Sequence, residues 1–225
     1  MTATTSPYAD RTAAGEDLAR HLSAYAGDDR VVVLALPRGG VLVAAPVASA
    51  LHAPLDVVVV RKLGVPGHPE VAMGAIAGIG GRIEIVHVRR VQTTAHVTPY
   101  DLDAVYRHEL LELRRREAAY RGSRPPPTVR GRVVVLVDDG MATGATMRAA
   151  VAAVRRQGPA RVVVAVPVGS ADACADVGRD ADEVVCVRQP RHFRAVGQEY
   201  LDFAPPTDDE VRALLGGAGG TEHDP

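Results

Sequence analysis

The sequence is short of several residue types, and each shortage narrows what the protein can be. Tryptophan is absent, and two cysteines in 225 residues are too few for a disulfide framework. We therefore expect a reducing compartment and a cytoplasmic location. The net charge of −1 offers no bulk attraction to nucleic acid or to an anionic membrane. No apolar run is long enough for a transmembrane helix, and the polar N-terminal stretch does not fit a signal peptide.

Lysine is scarcer still. Of the 26 basic residues, 25 are arginine, and Lys62 is the single lysine. Ammonium and guanidinium groups differ in shape and hydration, so a lysine that survives this bias suggests a site that needs a compact cation. A chance survivor on the surface is the alternative interpretation. The position of Lys62, next to Arg61 and directly after an aliphatic run, favours a functional role.

Aliphatic runs and helical patterns alternate along most of the chain. Runs such as 31–36, 55–60, 133–137 and 162–166 are apolar at almost every position, which is typical of parallel strands buried on both faces. The intervening segments show helical spacing, including a long amphipathic stretch over 98–121. We therefore predict an α/β fold, with a parallel twisted sheet and helices on both faces. Ligands of such sheets bind beyond the carboxyl ends of the strands.

One segment at such an end carries most of the chemical information. Residues 133–146 read VVVLVDDGMATGAT, a buried strand followed by Asp138 and Asp139 and then by a loop of small residues before a helix. Backbone N–H groups at a helix start form an anion site, glycine lets the backbone approach the anion, and Thr143 and Thr146 can cap the helix. Ionised carboxylates accept hydrogen bonds and suit a diol. A phosphate beside a diol describes a sugar phosphate.

Other phosphate motifs fit this segment poorly. A P-loop requires a Gly-Lys-Ser/Thr sequence, which the chain lacks here. A dinucleotide site has its acidic residue downstream of the glycines, whereas Asp138 and Asp139 precede them. A buried strand with a tight turn and solvated aspartates remains the structural alternative.

The segment 133–146 resembles the ribose-phosphate signature of the type I phosphoribosyltransferases. The resemblance implies that Asp138 and Asp139 hold the ribose hydroxyls of phosphoribosyl pyrophosphate (PRPP) and take part in catalysis. It implies that Mg²⁺ is held mainly by PRPP, with the same two carboxylates as its protein contacts. The residues expected to bind the phosphate of PRPP are Gly140, Met141, Ala142, Thr143, Gly144, Ala145 and Thr146.

Two further segments are similar to parts of that family's site. Arg38, Gly39 and Gly40 follow the first strand and resemble the pyrophosphate loop, which often contains a cis peptide bond; an ordinary turn is the alternative. Arg61 and Lys62 are similar to the pair that precedes the mobile catalytic loop in orotate and adenine phosphoribosyltransferases. The resemblance implies that both cations bind pyrophosphate, that Lys62 is catalytic, and that residues 63–75 form a mobile lid.

The acceptor side is less defined. The resemblance implies a hood, which we place at 188–215, where His192 and Phe193 are the candidate acceptor contacts. Aromatic residues there could instead fasten the C-terminal segment to the core. The expected organisation is a single domain over 1–225, with a core at about 30–187, a helical insertion at about 96–125 and a disordered tail at 216–225.

Three functions are consistent with these residues. The first is a phosphoribosyltransferase that joins the phosphoribosyl group of Mg-PRPP to a nitrogenous base and releases pyrophosphate, expected as a homodimer. The second is a PRPP sensor without turnover, although the roughly 30 residues before the first strand are few for a DNA-binding domain. The third, a phosphatase with an aspartyl nucleophile, lacks its usual acid-x-acid spacing.

Overall fold

The computed structural model describes residues 6–79, 81–122, 124–125 and 127–217. In chain order the helices and strands are α1 (Arg11–His21), β1 (Val31–Ala35), α2 (Gly39–Leu51), β2 (Leu55–Val57), β3 (Val59–Val65), β4 (His68–Ile79), β5 (Arg82–His87), α3 (Arg89–Thr94), α4 (Pro99–Arg121), β6 (Val133–Val137), α5 (Ala145–Arg156), β7 (Arg161–Val168), α6 (Ala171–Val177), β8 (Glu183–Arg188) and α7 (Asp208–Gly217).

Five strands form a parallel sheet in the order β2–β1–β6–β7–β8. Alternate residues of β1 face opposite layers. Val31 and Val33 pack with α1, α2, α4 and α7, whereas Val32 and Leu34 pack with α5 and α6. Because both faces are covered, every residue of β1 and β6 is buried, which explains their unbroken aliphatic sequences. The predicted fold class is confirmed.

A second sheet of three antiparallel strands, β3–β4–β5, departs from the prediction. The run 55–60 was expected to be one strand, but Val58 separates β2, which belongs to the parallel sheet, from β3, which does not. Residues 63–75, expected to form an irregular lid, belong to the β3–β4 hairpin, which turns at Pro66 and Gly67. Glycine and proline in this segment mark a turn and a register shift rather than a loop.

The helical insertion holds this second sheet against the core. Helix α4 begins with a capping box between Thr98 and Asp101, and the sequence did not predict the short α3 before it. Near its end, Arg121 forms an ion pair of 2.9 Å with Asp56 of β2, and the two side chains are 9% and 6% exposed. The second sheet packs between α4 and α5.

The last helix follows its sequence pattern closely. Thr207 and Glu210 form the predicted capping box, with the Glu210 N–H donating to the Thr207 hydroxyl over 3.2 Å. Helix α7 includes Gly216 and Gly217, two residues of the expected disordered tail, while 218–225 lie outside the described residues. Within the described residues, no helix combines the length and apolarity that crossing a bilayer requires.

Candidate functional site

The carboxylate pair lies where β6 ends. The Asp139 N–H donates to the Asp138 carboxylate over 2.9 Å, which turns the chain toward α5. The second carboxylate is held by Arg11 of helix α1, whose Nε lies 2.8 Å from Asp139 Oδ2. The Arg11 and Asp139 side chains are 6% and 16% exposed, so this is a largely buried ion pair.

Burial controls the ionisation of both carboxylates. Burial, reinforced by the charge of Asp139, raises the pKa of Asp138 well above its usual range. Burial also raises the pKa of Asp139, but there the hydrogen bond and the positive charge of Arg11 oppose the rise. The ionisation of each carboxyl group therefore affects the other, and Asp139 is the better stabilised anion of the two.

The loop after the pair is fixed by its neighbours on β7 and α6. Met141 donates to Val168 O over 3.0 Å and accepts from Ser170 N over 2.9 Å, and the Ser170 hydroxyl donates to Ala142 O over 2.8 Å. Gly144, at φ +70°, is the N-cap of α5. Glycine suits this left-handed conformation.

The two threonines of the loop do not cap the helix as the sequence suggested. The Ala145 N–H and Thr143 Oγ1 are 3.4 Å apart, at the limit of a hydrogen bond, and Thr146 lies inside α5. Among the described residues, no side chain caps this helix start, so its first N–H groups are available to an anion.

The segment after β1 packs directly on the carboxylates. A Cβ on Gly39 would lie 2.0 Å from Asp139 Oδ2, and a Cβ on Gly40 would lie 2.9 Å from Val137 O. The preceding peptide bond, between Pro37 and Arg38, is cis, as the resemblance implies. Arg38 is 46% exposed, and its guanidinium lies 3.8 Å from Asp208 of α7. Both positions therefore require glycine, because a side chain there would collide with the neighbouring atoms.

Arg61 and Lys62 lie on opposite faces of β3, because successive residues of a strand alternate. Arg61 forms an ion pair of 2.6 Å with Glu109 of α4. Lys62 is exposed and donates to Glu70 O over 3.0 Å. The structure does not bring these two cations together.

Lys62 instead faces the start of α5. It lines a cavity of about 530 Å³ between the second sheet and α5, together with Ala145 and Thr146 of the first turn of α5. The remaining walls are mostly small apolar groups, among them Gly74, Ala149 and Ala152. Lys62 and the helix start thus share one open space.

The predicted hood, residues 188–215, packs against the chain at and directly after the carboxylate pair. Val196 would lie 2.5 Å from a Cβ on Gly140, and the Tyr200 hydroxyl donates to Asp139 O. Phe193 is half-buried and packs in one apolar cluster with Val196 and Tyr200, whereas His192 is exposed. Acceptor binding by Phe193 and His192 stays a prediction.

Sequence reasoning missed two residues of this site. Arg11 lies 128 positions before its partner Asp139, and Tyr200 lies 61 positions after it. No local motif marks either residue. One weak signal was available for Arg11: it follows Asp10, whose carboxylate caps α1 through the Ala13 N–H at 2.8 Å and so fixes where the helix begins.

Comparisons with known proteins point to one family. The family model described as "Phosphoribosyl transferase domain" matches residues 8–204. Proteins of two Mycobacterium tuberculosis strains, CDC 1551 and H37Rv, are each 50% identical over 206 residues, and both are provisionally named phosphoribosyl transferases. The match covers 92% of this chain and 46% of either relative, so the chain spans about half the length of the curated relatives it matches.

A solved structure extends the likeness to the fold of most of this chain. The crystal structure of TT1426 from Thermus thermophilus superposes with a TM-score of 0.82 at 45% identity, covering 93% of this chain and 97% of that chain. The family match over 8–204 includes Asp138 and Asp139, residues 140–146, and Gly39 and Gly40. The chain belongs to the phosphoribosyl transferase domain family.

Proposed function

We propose that the protein binds Mg-PRPP and transfers its phosphoribosyl group to a nucleophile, with a nitrogenous base as the expected acceptor. In this reaction the bond from ribose C1 to the pyrophosphate oxygen breaks, and a bond from C1 to the acceptor nitrogen forms. The observation that carries the proposal is a buried carboxylate pair that contacts Gly39 and Gly40, where no side chain fits, and that lies on the segment leading into the uncapped start of α5.

The binding half of the proposal rests on the first-turn N–H groups of α5 and on the carboxylates. The residues 140–146 would hold the phosphate, and Asp138 and Asp139 would accept hydrogen bonds from the ribose hydroxyls. Among the described residues, no cluster of three or more metal-binding side chains is present. This fits a Mg²⁺ ion held mainly by PRPP with Asp138 and Asp139 as its protein contacts, because Mg²⁺ on substrate phosphates needs few carboxylates. When bound, Mg²⁺ would supply positive charge to the pyrophosphate oxygens.

The catalytic half of the proposal rests on two cations, Arg38 next to Gly39 and Lys62 on the second sheet. As pyrophosphate departs, negative charge grows on its oxygens, which nearby cations would stabilise. Lys62 lines one cavity with Ala145 and Thr146, and Arg38 directly precedes Gly39 and Gly40. Both side chains are exposed enough to reach a ligand. Arg61 is neutralised by Glu109, so its contribution requires that this ion pair open.

Calorimetry with Mg-PRPP tests binding, and a pyrophosphate-release assay over a panel of purine and pyrimidine bases tests turnover. We expect saturable binding that the omission of Mg²⁺ weakens, and release that depends on one class of base. Ribose 5-phosphate serves as the matched control ligand, since it keeps the sugar and the phosphate and lacks pyrophosphate. Tight binding with no release for any base would favour the sensor alternative, and absence of binding would overturn both.

Three further properties of this chain belong to the same proposal. We propose one domain over the chain, a cytoplasmic location, which both cysteines being free thiols supports, and a homodimer. Light scattering at several protein concentrations would measure the mass in solution. A mass equal to one chain at all concentrations would remove the dimer from the proposal.

A further inference from the structure

The two cysteines of the chain lie on different elements and meet beneath the surface. Cys174 belongs to α6 and is 9% exposed, and Cys186 belongs to β8 and is half-buried. Both pack with the apolar cluster between the parallel sheet and the helices α5 and α6. A Cβ on Gly169 would lie 3.1 Å from Cys174 Sγ and 3.2 Å from Cys186 Sγ. Both thiols therefore border one point, which stays open to them because residue 169 has no side chain.

The proximity of the two thiols makes them chemically unequal. The neighbouring Cys186 thiol lowers the pKa of Cys174, and burial opposes this change. The Cys174 thiol and burial both raise the pKa of Cys186, whose Sγ donates to Arg188 O over 3.3 Å. A thiolate is the nucleophile in cysteine chemistry. Cys174 is therefore the thiol that reacts first, with Cys186 beside it as the second thiol.

The helix that carries Cys174 also supports the loop after β6. Ser170, the N-cap of α6, donates its hydroxyl to Ala142 O over 2.8 Å and accepts from the Ala173 N–H over 3.1 Å. A Cβ on Gly144 would lie 3.5 Å from Ala173 Cβ, so this helix borders the N-cap of α5 as well. The Cys174 N–H donates to Ser170 O over 3.0 Å. A movement of Cys174 is therefore passed to the predicted phosphate loop.

We infer that Cys174 and Cys186 form a redox site, which a small peroxide oxidises to an intramolecular disulfide, and that this bond weakens phosphate binding at residues 140–146. The identity of the bound phosphate rests on the proposed function, whereas the thiol chemistry does not. Disulfides in reducing compartments are usually transient and serve catalysis or redox sensing. Two free thiols that lie side by side agree with such a reversible site.

The oxidation proceeds in two steps. The Cys174 thiolate attacks one oxygen of hydrogen peroxide, the O–O bond breaks, and the departing hydroxide takes up the thiol proton as water. The sulfenic acid that remains on Cys174 is then attacked by the Cys186 sulfur. The S–O bond breaks, the S–S bond forms, and the departing hydroxide leaves as water with the proton of Cys186. The two sulfurs give up two electrons in total, and one peroxide is reduced to two waters.

Formation of the bond should displace α6 rather than β8. A disulfide has a narrow geometry that two free thiols in contact do not meet, so one of the elements must move. Strand β8 is paired with β7 along its length, with Cys186 opposite Val166, whereas α6 is a helix of seven residues. Ser170 and Ala173 would move with α6. Phosphate binding at a helix start depends on the positions of backbone N–H groups, so affinity should fall.

The first measurement is peptide mapping of the wild-type protein after treatment with hydrogen peroxide. Trypsin cuts after Arg179, which lies between the two cysteines, so the disulfide would appear as two linked peptides. We expect the linked peptides in a protein that keeps the mass of one chain on a non-reducing denaturing gel, and we expect dithiothreitol to separate them. Thiols that stay free, oxidised sulfurs without linked peptides, or a cross-link between two chains would each overturn the inference.

The matched variants Cys186→Ser and Cys174→Ser test the order of the two steps. Cys186→Ser keeps the attacking thiol and should accumulate a sulfenic acid, which dimedone traps. Cys174→Ser should label with dimedone at least roughly tenfold more slowly. Equal labelling of the two variants would overturn the assigned order. If Cys174→Ser does not fold, Cys174→Ala, which brings no hydroxyl into the apolar cluster, takes its place.

The second measurement compares the reduced protein with the linked protein. Without ligand, amide hydrogen exchange in residues 140–146 should become faster by roughly threefold or more on oxidation. Calorimetry should show Mg-PRPP affinity lower by roughly fivefold or more, and dithiothreitol should reverse both changes. Peroxide-treated Cys174→Ser is the control, because it undergoes any methionine oxidation but cannot form the disulfide, and it should show neither change.

The two measurements separate this inference from the proposed function. Unchanged exchange in the linked protein would overturn the coupling between the thiols and the loop, whatever the affinity does. A reduced protein that fails to bind Mg-PRPP would overturn the proposed function, and peptide mapping and exchange would still decide the redox site and its coupling to the loop.

Discussion

The two sheets of this molecule hold the candidate site residues in very different ways. At the end of β6, Asp139 is held by Arg11 and is in contact with Gly39, and every residue of the strand before it is buried. On the second sheet, Lys62 is exposed, and within the described residues its hydrogen bond goes to a carbonyl of its own hairpin. Each residue of β5, at the edge of that sheet, is exposed or half-buried.

This difference suggests that the two sheets have separate roles, one in binding and one in turnover. A site fixed on several sides can bind a sugar phosphate with little rearrangement, which serves ground-state affinity. An exposed cation such as Lys62 can follow charge that develops during the reaction and can release its product. Changes at the first sheet should therefore affect binding, and changes at the second sheet should affect turnover.

The largest effect is expected from Gly39→Ala. The new Cβ would lie 2.0 Å from Asp139 Oδ2 and 2.9 Å from Arg11 Nε, so the ion pair must open. Breaking a buried pair costs about 3–5 kcal/mol, and we expect a loss of this order in stability together with loss of detectable Mg-PRPP binding. Thermal unfolding and calorimetry measure both quantities. Gly216→Ala is the matched control, since no heavy atom lies within 4 Å of the point that its Cβ would occupy, and it should leave binding unchanged.

The two aspartates should respond to amide substitution with opposite signs in stability. Asp139→Asn leaves Arg11 without its anion and should cost about 2–4 kcal/mol, less than a fully buried pair because the carboxylate is partly exposed. Asp138→Asn should instead stabilise the fold near neutral pH, by about 2–4 °C in Tm. Both variants should bind Mg-PRPP weakly. Equal changes in Tm would contradict the difference drawn between the two carboxylates.

The pH dependence follows from the raised pKa of Asp138. Burial raises that pKa in the folded state, so the contribution of the group to stability is complete below the unfolded pKa and is lost as the pH rises through the folded pKa. Asparagine cannot titrate. The Tm advantage of Asp138→Asn should therefore shrink as the pH falls toward about 4, where the wild-type carboxyl is increasingly protonated in both states.

Changes on the second sheet should separate turnover from binding. Lys62→Ala should lower kcat by roughly 10–100-fold and Lys62→Arg by less, while Mg-PRPP affinity stays within about threefold, since the charge to be stabilised grows in the transition state. Arg61→Gln, the neighbour on the opposite face, should loosen the contact with Glu109 and leave kcat nearly unchanged. Pyrophosphate release measures all three. A loss of PRPP affinity in Lys62→Ala equal to its loss in kcat would place Lys62 in ground-state binding.

The smallest effect concerns motion without substitution. Amide hydrogen exchange should be faster in β5 than in β6, by at least roughly tenfold, because lightly packed segments open more readily than the core. Mg-PRPP should slow exchange in the loop 140–146. If it slowed exchange only in the second sheet, the assignment of the phosphate to the start of α5 would be wrong.

The sequence was informative where structure is local. The aliphatic runs of β1, β6 and β7 reflect burial on both faces, and the strand–loop–helix pattern over 133–146 lies in consecutive residues. The pairing of the second sheet was not predicted, because β3 and β4 are interrupted by glycine and charged residues and obtain their partners from pairing, for example Lys62 with Ala75. Antiparallel pairing depends on register, which composition does not encode.

The site itself shows the same limit. Asp138, Asp139 and the glycines could be identified because a short motif contains them. Arg11 and Tyr200 reach the pair from opposite ends of the described chain, over 128 and 61 positions. A buried arginine has no local signature, since the same residue type covers the exposed faces of α4. Only the packing of α1 against the sheet brings Arg11 to Asp139.

The alternation of Arg61 and Lys62 along β3 limits how this chain can vary in length. Deletion or insertion of one residue before this pair would exchange their faces, so that the guanidinium would point toward α5 and the ammonium toward Glu109. A change of two residues would keep each side chain on its face. The pairing irregularities between Leu63 and Val65 come after the pair, where they can absorb changes near the turn without inverting it. Homologous chains should therefore differ in hairpin length beyond Leu63 and conserve the spacing between β2 and Lys62.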